Sequence, residues 1–469
     1  MMRPLRHVAR VTVEFTTPFL VGSGAEGAFS DAAFAADANG LPALPGASLA
    51  GALRHAYEAR NGADATSRVF GYQLRDKGCG SKVAISWGAI HAANGSPAEG
   101  LWAPAQIATD PVLSSARLST VRDHVRIGPR GVAEDRGKFD DTVVAAGHRF
   151  SFEIVVEGDG QDAAILDELL ALLASRQVRI GGKTRRGLGA FRVVRCDVGH
   201  FDLSTGAGLA GFSGLGAGIG VAPHLSPWTP TPLPGGKTSG VGAVYADIQL
   251  VPEGFWLFGG GAEGGADMNP VRETRVVWDA QGQGSLGGRE YLIPGSSVKG
   301  ALAHRTAFYF NAATNRFADD ENSRNSVGAK NDAVRMFFGS VKDSDGEDEG
   351  RRGRVMIDDV YVAAGQTEKM VNHVSIDRFT GGALTLSGAL FSESPIYRGA
   401  GFTLHVEVEL DPAIEQEARR AFERALNDLA DGRLALGAGA SRGNGFFRAP
   451  HGVRWSDGGK WLQEGGTHA

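Results

Sequence analysis

Two short segments combine glycines and cations in a way that suits phosphate. Residues 181–189, GGKTRRGLG, carry Gly182, Lys183, Arg185, Arg186 and Gly187, and residues 437–445, GAGASRGNG, carry Gly437, Arg442 and Gly443. Glycine reaches backbone conformations closed to other residues, so main-chain amides can approach an anion while basic side chains neutralise it. Two Pro-Gly turns point to the same chemistry. After Pro45-Gly46 and Pro294-Gly295 the residues favour a helix, with Ser48 or Ser297 as the expected N-cap. The free first amides and positive dipole end of such a helix attract phosphate, and Arg54, Lys299 and Arg305 stand nearby.

Other chemistries fit less well. The tetrapeptide GGKT occurs at 181–184 and 235–238, but a nucleotide-binding phosphate loop needs a further glycine where Gln177 and Thr231 stand. The acidic run Asp343 to Glu349 puts its glycine at the fourth place, whereas a calcium-binding EF-hand loop requires the sixth. Two cysteines, Cys79 and Cys196, make neither a disulfide framework nor a four-cysteine zinc site. His55, His124, His304 and His373 suit general-base chemistry, with packing as the plainer alternative. Trp87 and Trp278 can stack on bases or fill a core.

The elements that must position these residues come in two copies. PGASLAGALRHA at 45–56 matches PGSSVKGALAHR, 249 residues later, at seven of twelve positions. The glycine block 181–193 matches 437–449, 256 residues later, in three Gly, two Arg and one Phe. Two blocks in the same order at nearly the same offset indicate a tandem duplication. Domain one is then 1–204 and domain two 241–469, joined by a Gly-rich then Pro-rich linker over 205–240. Each half shows a strand (Val11 to Phe15; Ala243 to Leu250) and a helix after its Pro-Gly turn (Ser48 to Arg60; Ser297 to Phe310). A second strand (Ser151 to Val156; Thr403 to Val408) and a second helix (Ala163 to Ala174; Pro412 to Ala430) follow, before strands that leave the glycine blocks. This is an α+β pattern, an antiparallel sheet with helices on one face, of ferredoxin-like type and used twice.

The 68 glycines among 469 residues are about twice the ~7% usual share, and with 42% hydrophobic residues they indicate globular domains with long turns. A net charge of −5 opposes nucleic-acid binding by the chain as a whole. Part of that deficit lies in two acidic stretches, 319–321 and 343–349, expected as solvated loops. MMRPLRH leads straight into a strand-like run without the apolar core of a signal peptide, and no stretch suits a bilayer span. No membrane role and a cytoplasmic location are expected.

The Pro-Gly-Ser-Ser-x-Lys-Gly helix start and the late glycine loop resemble the two signatures of the CRISPR-associated RAMP superfamily, the "repeat-associated mysterious proteins". Phe70-Gly71 and Phe338-Gly339 resemble the short block after its first helix. Asn372-His-Val-Ser-Ile-Asp377 through Gly388-Ala-Leu-Phe391 resembles its thumb hairpin, with Asp123-His-Val-Arg-Ile127 onward as a more divergent first copy. Two such domains in one chain are similar to the fused Cas-seven-like backbone subunits of type III-D effector complexes.

The resemblance implies two RRM-like domains with thumb hairpins, gripping CRISPR RNA beside other effector subunits. Target RNA paired to the guide would be cut where a thumb displaces a nucleotide. There a 2′-hydroxyl held in line can attack the neighbouring phosphate, with a carboxylate as proton acceptor or as a holder of a divalent metal, Mg2+ being expected although its ligands are unknown. The family's cleavage aspartate falls in the loop before the Pro-Gly motif, which places Asp31 in that role with Asp37 as second candidate. In the second domain Glu273 and Asp267 are the candidates, and an inactive site is the alternative. A purely structural scaffold and a nuclease that processes the precursor transcript are the competing functions.

Overall fold

The computed structural model describes residues 4–22, 34–118, 120–128, 131–159, 162–230, 242–260, 264–317, 327–342, 349–384 and 390–463. In the first half, strand Leu5–Phe15 pairs with Arg149–Gly158 on one side and Phe191–Asp202 on the other. Val83–Ile85 extends the sheet beyond Arg149–Gly158. Numbered along the chain, these four antiparallel strands lie in the order 4-1-3-2, and the crossover helices Gly46–Phe70 and Ala163–Ala174 pack on each other and on the sheet. The second half repeats the order: Phe447–Arg448, Ala243–Pro252, Phe402–Glu409 and Val355–Ile357, with crossover helices Gly295–Ala313 and Gln416–Ala430. This is the ferredoxin-like α+β unit, twice.

Alternation explains the strands. Val11, Val13 and Phe15 are buried while Thr12 and Glu14 face the other side, the period-two signature of a half-covered sheet. Helix Gln416–Ala430 buries Ala418, Ala421, Phe422, Ala425, Leu426 and Leu429, a stripe at helical spacing, and Phe422 stacks on Phe337 at 4.7 Å. Each half closes a hydrophobic core of its own.

Three expectations need correction. Neither Ser48 nor Ser297 is an N-cap: the helices begin at Gly46 and Gly295 after Pro45 and Pro294, which places each serine inside the first turn. The glycine packs so closely that a Cβ at Gly46 would lie 2.1 Å from the Ile85 carbonyl oxygen, and one at Gly295 would lie 2.3 Å from that of Ile357. The first helix also runs past Arg60 to Phe70, across a break at Gly62. Finally, the expected linker 205–240 is folded where it is described. Gly206–Ser213 is a helix, Ser226–Pro227 pairs with the edge of the first sheet, and Trp228 packs on the first core. Tight packing requires the glycine at position 208, where a Cβ would lie 2.0 Å from the Asp202 carbonyl oxygen.

Both halves insert a hairpin between the second and third sheet strands: Thr120–Ile127 with Ala133–Val143, and Val371–Val374 with Leu390–Glu393. These are the thumbs. The second half has a further hairpin, Arg272–Trp278 with Gly284–Ile293, which docks on the first half. Val276 N donates to Ala146 O at 3.1 Å, Gly284 N to Ala93 O at 2.7 Å, and Trp278 Nε1 to Gly147 O at 2.7 Å. Trp278 also lies under the Arg149 guanidinium at 4.3 Å, so packing accounts for it, whereas Trp87 is exposed.

Candidate nucleic-acid interface

The two glycine loops share one backbone trace. Each holds a 3-10 turn, Thr184–Arg186 or Ala440–Arg442, between residues of positive φ: Gly181, Lys183, Gly187 and Gly189 against Gly437, Gly439, Gly443 and Gly445. Gly182 N bonds Leu20 O and Ala438 N bonds Leu257 O, both at 2.7 Å. Gly189 and Gly445 are obligatory, since a Cβ would come within 2.2 and 2.1 Å of the Ile180 and Leu436 carbonyl oxygens.

The first loop lies against the second half's helix start. Lys299 Nζ donates to Arg185 O at 3.0 Å, and burial, with Arg185 and Arg186 adding, pushes the Lys299 ammonium down to about 8. Arg185 pairs with Glu409, which also accepts from Arg352 at 3.2 Å, and Arg352 approaches His55 Nε2 at 2.8 Å. An open groove of about 780 Å³ runs along this seam, lined by Ser48, His55, Gly182, Arg185, Arg352 and Arg354 among others. The fold thus brings Ser48, Gly182 and Arg185 together, with Lys299 against Arg185. Arg54 and Arg305 stand apart: Arg54 donates to Gly71 O, and Arg305 turns to Arg433 O and Asp428. His304 lies midway along helix Gly295–Ala313 and is not among the residues lining the groove.

At the root of each thumb a buried carboxylate ties the hairpin to the glycine loop. In the first half Asp141 meets Lys183, His124 Nε2 at 3.4 Å and Arg186 Nη1 at 3.6 Å. In the second half Glu393 accepts from His373 Nε2 at 2.9 Å and Arg442 Nη2 at 2.6 Å, and from Asn444 at 3.3 Å. Burial works against ionisation of Glu393, but the His373 and Arg442 hydrogen bonds outweigh it and hold the carboxyl below its usual range. Burial is the largest influence on His124 and lowers its pKa; Asp141 opposes, and Arg122, Arg186 and Lys183 add to the lowering.

Asp31 lies outside the described residues. Asp37 is occupied as a turn former, its Oδ1 accepting from the Asn39 and Leu41 amides at 2.8 and 2.9 Å. Asp267 is exposed, but Oδ2 accepts from Ser392 N and Oγ at 2.7 and 2.9 Å; these two bonds hold its carboxyl below the ordinary value. Glu273 is buried: both its oxygens are bound by Arg122, at 2.6 and 2.7 Å, and Tyr361 donates to it at 2.9 Å. The carboxylate expected there as a catalytic candidate stands in a buried ion pair with Arg122 of the first thumb. Arg122 also donates to the fully buried Asp359 at 2.6 Å, whose other oxygen accepts from Gly295 N at 2.8 Å. No group of three or more His, Cys, Asp or Glu placed to hold a metal occurs among the described residues. Of the carboxylates expected to hold a divalent metal, Glu273 and Asp267 are hydrogen-bonded as described, and Asp31 lies outside the described residues.

Sequence reasoning missed Arg122, Asp359, Asp141 and Glu393. For the last two a signal existed, since each lies two residues after a phenylalanine, Phe139 or Phe391, in its thumb. Arg122 and Asp359 have no counterpart in the other half of the repeat and carried none.

The family model of the RAMP superfamily matches residues 12–192 and 257–448, one region in each half. The chain belongs to the RAMP superfamily. No curated protein matches it. Among solved structures, a chain of the cryo-EM structure of the Type III-B Cmr-beta bound to cognate target RNA is similar at 16% identity and TM-score 0.30, covering 41% of this chain and 60% of that one. The match thus spans less than two thirds of that chain's length. Among the described residues no helix is long and apolar enough to cross a membrane.

Proposed function

We propose that this RAMP protein is a backbone subunit of a type III CRISPR effector complex, binding CRISPR RNA and cleaving guide-paired target RNA in its first domain. The observation that carries the reading is the seam groove, where the first helix start and glycine loop supply Ser48, Gly182 and Arg185, and Arg352 and Arg354 come from the second half. The groove is lined by Arg60, Arg179, Arg185, Arg352 and Arg354 against Glu407 and Glu409, an excess of positive charge that suits a polyanion despite the net charge of −5. Single strands are gripped by such tracks of positive charge.

Cleavage would proceed by attack of a target 2′-hydroxyl on the adjacent phosphorus. The new 2′-O–P bond forms as the P–O5′ bond breaks, a carboxylate takes the hydroxyl proton, and water protonates the departing 5′-oxygen, leaving a 2′,3′-cyclic phosphate and a 5′-hydroxyl. Asp31 is assigned that role by its place before the Pro-Gly motif. In the second domain Glu273 is consumed by Arg122 and Asp267 by Ser392, which favours an inactive second site. Other effector subunits are the expected partners, and the cytoplasm the expected location.

The test is target-RNA cleavage by the reconstituted complex with magnesium or with EDTA. Asp31→Ala should abolish one cut and preserve assembly, while Asp267→Ala leaves the pattern intact. An unaltered pattern in both variants would move the chain to the role of scaffold.

A further inference from the structure

The two thumb roots resemble each other more closely than the thumbs that contain them. His124 faces Phe139 across the first hairpin and His373 faces Phe391 across the second. The imidazole lies nearly parallel to the phenyl ring in both, 16° and 5.1 Å in the first, 19° and 4.6 Å in the second. Two residues after each phenylalanine stands the carboxylate, Asp141 or Glu393, with side chain 3% or 2% exposed. The third turn residue of each glycine loop, Arg186 or Arg442, reaches that carboxylate and lies over the same phenyl ring, at 5.0 and 5.3 Å. Four side chains from two separate elements are therefore repeated in arrangement, hydrogen-bonded around Glu393 and at ion-pair distance around Asp141, where Lys183 is the nearer cation, although the hairpins differ in length and their flanking residues diverge.

The layering gives the arrangement direction. The carboxylates are buried, while the arginines keep 45% and 36% of their side chains exposed. A guanidinium offers five donors, and one carboxylate cannot use them all. Part of each arginine is thus held from beneath and part faces solvent beside the glycine loop.

We propose that Asp141 and Glu393 are positioning residues for RNA recognition: each fixes its glycine-loop arginine, against the thumb histidine and phenylalanine, so that the free guanidinium edge meets a backbone phosphate at the thumb root. This rests on the RNA-binding reading above. It makes a prediction of unusual sign. Removing a negative charge beside a polyanion site tightens binding by simple electrostatics, whereas removing a positioning carboxylate weakens it.

The test is binding of a labelled, unstructured single-stranded RNA of about 30 nucleotides to the full chain over a range of salt, with thermal unfolding of every variant alongside. Glu393→Gln should weaken binding about tenfold, the scale of one charge-assisted contact. Arg442→Ala should weaken it comparably and flatten the salt dependence by about 0.7, one single-strand phosphate contact. The double variant should bind no worse than Arg442→Ala, because the carboxylate acts through the arginine. Asp141→Asn should reproduce the effect in the first half. Should Glu393→Gln lower thermal stability, Glu393→Asp, which keeps the charge and shortens the reach, should still weaken binding. Wild-type binding with undiminished or tighter binding by Glu393→Gln and Glu393→Asp overturns the inference and leaves the RNA-binding reading intact; no binding by the wild type overturns both.

Discussion

The first thumb and the second share a root but differ in what lies alongside it. Two residues before its histidine the first thumb carries Arg122, whose guanidinium enters the second half and binds Glu273 and Asp359. The same position in the second thumb is Val371, and near that hairpin's turn Phe379 is 94% exposed. The duplication therefore preserved what joins a thumb to its own glycine loop and changed what joins it to a neighbour. The first thumb has a permanent neighbour in the chain and acquired an ionic anchor to it. Burial works against the Arg122 charge, but Asp359 and Glu273 outweigh it and raise its pKa further. Asp359 is pushed up by its own burial, against the pull of Arg122 and the Gly295 amide.

The largest expected effect tests that anchor. Arg122→Ala strands two buried carboxylates and should cost about 3–5 kcal/mol in denaturant unfolding, whereas Val371→Ala, at a half-buried position, should cost under about 1 kcal/mol. Equal losses would break the comparison between the thumbs.

Acid should separate the halves next. His148 and His91, both in the first half, are lowered to about 4 by burial, the second against a hydrogen bond to Gly95 O. Between that value and the ordinary 6.5 the unfolded chain binds more protons, so stability falls as pH drops, by about 2 kcal/mol per group at pH 5. His405 in the second half goes the other way. Burial lowers it, but Glu407, Asp358 and Asp247 outweigh burial and raise it, so its contribution is complete below 6.5 and fades as pH rises through the raised value. Hydrogen exchange at pH 5 should find the first half opening before the second, and His148→Phe should blunt that acid sensitivity. The smallest effect is expected at Phe379→Ser, within about 0.5 kcal/mol of wild type in the same unfolding measurement.

What was legible in the sequence was local. Pro-Gly turns and glycine loops announce themselves because their backbone conformations demand particular residues, and the offsets between copies gave the tandem fold. The serines misled because each helix starts two residues earlier, and in the second half the opening Gly295 amide is met by Asp359, which lies just after strand Val355–Ile357 and 64 residues on. Glu273 misled for a similar reason: its partner lies 151 residues away in the more divergent thumb, and no spacing rule links them. The thumb roots were half legible. Both histidines were noticed as candidates, but the carboxylates come into register only when the hairpins pair.

The anchor of the first thumb also sets a length. Arg122 reaches Asp359, and Asp359 holds the amide that opens the second helix, so one unbroken chain of bonds runs from one thumb to the helix start of the next unit. Swinging one half about the other would pull Arg122 away from Glu273 and Asp359, both buried. The pair of units is a gauge of fixed pitch, and under the proposed RNA-binding function a strand laid along both would take its step size from the protein.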